Sequence, residues 1–176
     1  MLGQYNLVVS GVSDFWYLTT ISQMLREAGQ AGLDDQLVIT PAGGALRIAY
    51  LGAMLQTQSL NLAVLLDSDP EGGSAHKMLL HHWMIEARHL LRLGEVLGAK
   101  EQRTLEDLFD EAYYMGHVNA AYRTELSGLP LTISSDKTCP VVGRIEDQFV
   151  HANRRESSDI AGDLFRRVGE GPTAAR

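Results

Sequence analysis

Cysteine is almost missing from this chain. Cys139 stands alone, which excludes an intramolecular disulfide and fits a reducing, cytoplasmic compartment. Long apolar runs are missing as well. None approaches the ~20 residues that a membrane-spanning helix needs. The opening MLGQYNLVVSG has neither a basic n-region nor a long apolar stretch, so no secretory signal is expected. Positive charge is in short supply: 15 Lys and Arg face 22 Asp and Glu, for a formal net charge of -7. A protein that holds nucleic acid mainly by neutralising phosphates would be basic. If this chain handles DNA, its acidic groups must have another job. What is present is enough for a full core. With 176 residues, 45% hydrophobic and 21% charged, the chain has the size of one domain, with or without a small appendage, and wholesale disorder is excluded.

The first hundred residues alternate between short apolar runs and longer helical patterns. Tyr5 to Val9 is a strand-length run. From Asp14 to Ala28, apolar residues recur at helical spacing, with Ser13 as the expected N-cap and Gly29 as the stop. Leu37 to Thr40 is a second strand, Ala45 to Thr57 a second helix and Leu60 to Leu66 a third, very apolar strand. Gly73 to about Glu86 is a third helix, and His89 to Leu93 a fourth strand. Strands without polar alternation are buried on both faces. The β-α-β-α-β-α-β order therefore predicts a doubly wound α/β fold, with a mainly parallel four-stranded sheet over residues 4–98. Residues 99–168 read as a mostly helical extension. Within it, Leu105 to Leu126, Val141 to Val150 and Ser158 to Val168 are helical, and Leu129 to Ile133 is a short edge strand. Residues 169–176 read as a frayed polar tail.

Ligands of open parallel sheets sit outside the carboxyl ends of the strands. Two of those ends are acidic here: Ser10-Gly11-Val12-Ser13-Asp14 after the first strand, and Asp67-Ser68-Asp69-Pro70-Glu71-Gly72 after the third. Asp67 and Asp69 lie two apart, so on extended backbone both can point the same way. Paired carboxylates repel unless a divalent cation neutralises them, and hard oxygen donors suit Mg²⁺ or Mn²⁺. The competing structural explanation is that DSDPEG is simply a polar turn capping a helix, since Asp, Ser, Pro and Gly are all turn residues.

The ordered set LVVSGVSDFWYL, ITPAGGA, LAVLLDSDPEG, LLRLGEV and LEDLF resembles a TOPRIM domain. It looks most like that of the OLD (overcoming lysogenization defect) family of ATP-dependent nucleases, over roughly residues 4 to 125. The resemblance implies metal-dependent phosphodiester chemistry on DNA with two divalent ions, Mg²⁺ or Mn²⁺. It implies that Asp14, Asp67 and Asp69 are ligands, with Glu106 and Asp107 matching a further acidic block. It also implies a basic residue nearer the C-terminus, for which Arg154, Arg155 and Lys137 are the candidates. Two departures stand out. The family carries Glu where this chain has Ser10, and a hydroxyl cannot do the work of a carboxylate near neutral pH. Family members also carry an ABC-type ATPase ahead of this half, whereas this sequence has no GxxxxGK[ST] motif. Such an ATPase, on a separate segment, is the protein partner that the resemblance implies, and self-association is left open. The alternative reading is a catalytically inactive TOPRIM module that binds DNA or an ATPase.

Other features carry weaker signals. Gly43-Gly44 opens a helix at the carboxyl end of the second strand, where backbone N–H groups and Arg47 can meet a phosphate, and a plain tight turn explains it as well. Lys77, with His76, lies on the helix after DSDPEG and is a candidate DNA contact beside the simpler explanation of a solvated face. His76, His81, His82 and His89 invite a zinc reading, but their spacing is poor and no cysteine is near. Trp16, Tyr113, Tyr114 and Tyr122 are expected to be packing residues.

Overall fold

A computed structural model describes residues 3–44, 47–48, 50–51, 61–82 and 85–153. The chain divides into two compact units, Met1–Leu105 and Glu106–Arg176.

The first unit is built on strands β1 (Tyr5–Val9), β2 (Leu37–Pro41), β3 (Asn61–Leu66) and β4 (Leu90–Arg92). They form one all-parallel sheet in the order β2-β1-β3-β4. Helix α1 (Val12–Glu27) joins β1 to β2, and helix α2 (Pro70–His82) follows β3. From β1 the chain steps outward to β2, and from β3 it steps the other way to β4. With right-handed crossovers, α1 and α2 therefore cover opposite faces. This is the expected doubly wound arrangement, and its switch point lies between β1 and β3.

Side-chain alternation along the strands supports the same layers. Val8, Leu62, Val64, Leu66 and Leu90 pack with Ala75 and Leu79 of α2 and with Ile48 and Ile85 into one buried cluster. Val8, Ile48, Val64, Leu66 and Leu79 are fully buried, and each stabilises the fold by about 1.5–3 kcal/mol relative to exposure. At the amino end of β1, the buried Asn6 closes the layer with polar bonds. Its side chain donates to the Gly3 carbonyl at 2.8 Å and accepts from the Gly3 N–H at 3.0 Å.

Several boundaries differ from those read in the sequence. Helix α1 is capped at Gly11, not Ser13, because the Asp14 carboxylate reaches back to the Gly11 N–H at 2.8 Å. Helix α2 begins at Pro70, three residues before the expected Gly73. Asp69 caps it and Pro70 takes the first helical position, where a missing N–H costs nothing. Gly29 ends α1 as expected, with a φ of 72° that suits glycine. In the second expected helix, residues 47–48 and 50–51 are helical, and the remainder lies outside the described residues.

A 3₁₀ turn (Leu105–Leu108) carries the chain into the second unit, which contains α3 (Glu111–Ala121) and α4 (Val141–Asn153). The expected edge strand at Leu129 to Ile133 is absent: this backbone is irregular. The Asn119 amide takes the place of a partner strand, accepting from the Leu131 N–H at 2.6 Å and donating to the Leu131 carbonyl at 3.4 Å. The loop after it is tied to α4 by Arg144, which is buried. Arg144 donates to the Ser134 carbonyl at 2.8 Å and to Glu111 at 2.7 Å. Tyr114 and Tyr122 are buried as expected, and Tyr122 meets Phe149 edge-on at 4.9 Å. Trp16 and Tyr113 contradict the packing expectation, being 47% and 60% exposed. The expected helix Ser158 to Val168 and the tail 169–176 lie outside the described residues.

Candidate functional site

The carboxyl edge of the sheet gathers four short segments. Val9 pairs with Leu65 and Leu66 pairs with Arg92. Ser10 therefore leaves the sheet level with Leu66, one residue before Asp67, and Arg92 ends the neighbouring strand. The loop after β2 joins them, because the Gly44 N–H donates to the Ser10 carbonyl at 2.8 Å. Gly43 and Gly44 hold φ values of 78° and 130°, which a side chain would strain. The Arg47 guanidinium lies against Gly43, 3.3 Å from where a Cβ would stand.

In the acidic segment after β3, the turn explanation accounts for most residues. Asp69 accepts from the Gly72 N–H at 2.6 Å as the N-cap of α2. Ser68 accepts from the Gly94 N–H at 2.7 Å, while its own N–H donates to the Arg103 carbonyl at 2.9 Å. Gly72 is required by close approach: a Cβ there would lie 2.2 Å from the Asp67 carbonyl oxygen. Asp67 itself is half-buried, the first residue past β3 at the switch point.

Asp14 also has a structural duty. It is buried, and its carboxylate bonds the Gly11 N–H. Burial pushes its pKa above the ordinary aspartate range, with the Gly11 and Ser10 N–H groups pulling the other way. Ionised Asp14 thus costs stability above its raised pKa, and that cost is relieved as pH falls through it. Asp14→Asn retains an acceptor for Gly11 without the charge. In EDTA, thermal unfolding is expected to show Asp14→Asn more stable than the native chain at pH 7, with the gap closing toward pH 4. A gap that widens on acidification contradicts this.

Of the other residues singled out in the sequence, Lys77 is exposed on α2. Glu106 and Asp107 lie in the opening turn of the second unit. Glu106 is buried there, and the Asp107 carboxylate accepts from the Val141 N–H at 2.9 Å, capping α4. Lys137 is exposed in that unit. Arg154 and Arg155 lie outside the described residues. Arg92, which is not among the residues that the sequence singles out, ends β4 at this edge, and the run LLRLGEV carries it as a basic residue closing a strand of the parallel sheet.

Carboxylate oxygens suit a hard cation in kind. In number, no three His, Cys, Asp or Glu side chains among the described residues converge on a common point. A cation held on this segment would have only the carboxylates of Asp67 and Asp69 from the described residues, the second of them already accepting from the Gly72 N–H, and waters would have to complete its shell. Among the described residues, no helix is long and apolar enough to cross a membrane. Comparison with protein-family models, curated proteins and solved structures finds no match for the chain.

Proposed function

We propose that this chain is a TOPRIM-type, Mg²⁺- or Mn²⁺-dependent DNA nuclease domain of the OLD kind. Its phosphodiester hydrolysis is slowed because Ser10 stands where a carboxylate is expected. The observation that carries the reading is the strand order β2-β1-β3-β4, which brings the segments bearing Ser10 and Asp14 and those bearing Asp67 and Asp69 to one switch point. Asp67 and Asp69 would hold the cation, which would neutralise phosphate charge and activate water. Asp14 caps α1 and fixes the Ser10–Gly11 backbone beside them. Glu106 and Asp107, the second ion and an ABC-type ATPase partner belong to the same proposal. It is tested by nicking of supercoiled plasmid in Mn²⁺. The native chain is expected to cut slowly and Asp67→Asn not at all. No cutting by either the native chain or Ser10→Glu overturns it.

A second reading is a catalytically inactive module that binds DNA or an ATPase. It is favoured by Ser10 and by the capping duties of Asp14 and Asp69. On that reading plasmid stays intact with every variant.

A further inference from the structure

The carboxyl edge carries cations as well as acids, and their placement has a pattern. Arg47 follows the outer strand β2, and Arg92 ends the opposite outer strand β4. Between them lie Ser10 and Asp14, after β1, and Asp67 and Asp69, after β3. Across the sheet the order is therefore cation, acid, acid, cation. Three interstrand steps of ~4.8 Å separate the outer strands by about 14 Å.

Each arginine keeps donors that no described residue engages. Arg47 is exposed, and no salt bridge engages it among the described residues. Arg92 is mostly covered, with 27% of its side chain exposed. Among the described residues its ion pair is a long contact to Glu95 at 3.4 Å. Its Nε is buried with no hydrogen-bond partner among the described residues. A buried donor left unmade costs about 1–3 kcal/mol, and a guanidinium offers five donors suited to a forked grip on phosphate. The two groups do not converge. Arg47 lies against Gly43, whereas Arg92 Nη2 lies 3.7 Å from the Cβ position of Gly73 in the first turns of α2.

We infer that this edge takes a nucleic-acid strand lying across the β-strands, with Arg47 and Arg92 gripping phosphates on either side of the acidic centre. The inference rests on the nuclease reading and narrows its substrate to a polynucleotide that spans the edge. Arg92 turns its Nε–H and one Nη–H outward together on binding, which satisfies the donor that is unpaired in the free protein. The net charge of -7 is then no obstacle, because attraction comes from two placed arginines and a cation rather than from overall charge.

The test is fluorescence anisotropy with a short single-stranded oligodeoxynucleotide in Ca²⁺ over a salt series. Arg47→Gln and Arg92→Gln are each expected to weaken binding several-fold at low salt. Each should flatten the slope of log K against log salt by ~0.7, the loss of one single-strand phosphate contact, and the double variant by about twice that. Arg47→Lys should restore the slope, since a point charge still neutralises phosphate. Arg26→Gln, at the far end of α1, should leave it unchanged. Arg47 is exposed, so its substitution tests the idea even if Arg92→Gln unfolds the unit. A slope unchanged in Arg47→Gln, or in a folded Arg92→Gln, overturns the inference. The nuclease reading then still stands if plasmid nicking depends on Asp67. Arginine-dependent binding without any nicking keeps the inference about the edge and removes the nuclease.

Discussion

Gly72→Ala is expected to destabilise the first unit by about 3 kcal/mol, a drop in melting temperature on the order of 10 °C or more. In an ordinary helix the same change stabilises by up to ~1 kcal/mol. Here the new Cβ would stand 2.2 Å from the Asp67 carbonyl oxygen and 3.1 Å from its carbonyl carbon. Both are backbone atoms at the end of β3, so no rotamer change can relieve the clash. The helix must lift off the strand end, and that pulls the Gly72 N–H away from Asp69, its partner at 2.6 Å. The neighbouring Gly73→Ala is the control. Its Cβ would meet only the Arg92 guanidinium, at an ordinary 3.7 Å, and it should be neutral or stabilising. Equal stability of the Gly72→Ala and native proteins would show that the DSDPEG turn is not held as described.

Ser10→Glu is expected to raise the Mn²⁺-dependent nicking rate by ~10²-fold or more, the usual contribution of a positioned acid–base group. The substitution should be accommodated, because the backbone at this position is fixed independently of the side chain. The Ser10 carbonyl accepts from Gly44, and the following Gly11 N–H is held by Asp14. The side chain is only half-buried, so a longer acidic one can extend toward the edge. Initial rates on supercoiled plasmid measure this, and an unchanged rate would mean that position 10 is not where a missing carboxylate matters.

Much of the first unit was legible because its strands are apolar runs too short for helices. Their alternation with helical spacing leaves few topologies once crossovers are right-handed. The positions of Ser10, Asp14, Asp67 and Asp69 at strand ends followed from that. What the sequence did not disclose was which oxygen of each acid is already engaged. Asp69 reads as a ligand or as part of a capping turn, whereas Asp14 reads only as a ligand, with Ser13 as the cap. Only the bonds to Gly11 and Gly72 separate these roles, because local side-chain to backbone bonds depend on where each helix starts. Arg92 was missed for a related reason. Its significance lies in its register with Leu66, a pairing between residues far apart in sequence. At Leu129 to Ile133 the β-branched, apolar composition suggested a strand, but the Asn119 amide satisfies the Leu131 backbone instead.

If Asp67 and Asp69 make the switch point a cation site completed by DNA phosphate, Mn²⁺ affinity must depend both on Asp67 and on the presence of an oligonucleotide. Calorimetric titration of Mn²⁺, with and without a hydrolysis-resistant phosphorothioate oligonucleotide, tests it most directly. Binding to the protein alone is expected to be weak, to tighten at least ~10-fold when the oligonucleotide supplies phosphate ligands, and to be lost in both conditions in Asp67→Asn. Mn²⁺ binding that is the same in the native protein and in Asp67→Asn, with or without the oligonucleotide, would contradict it.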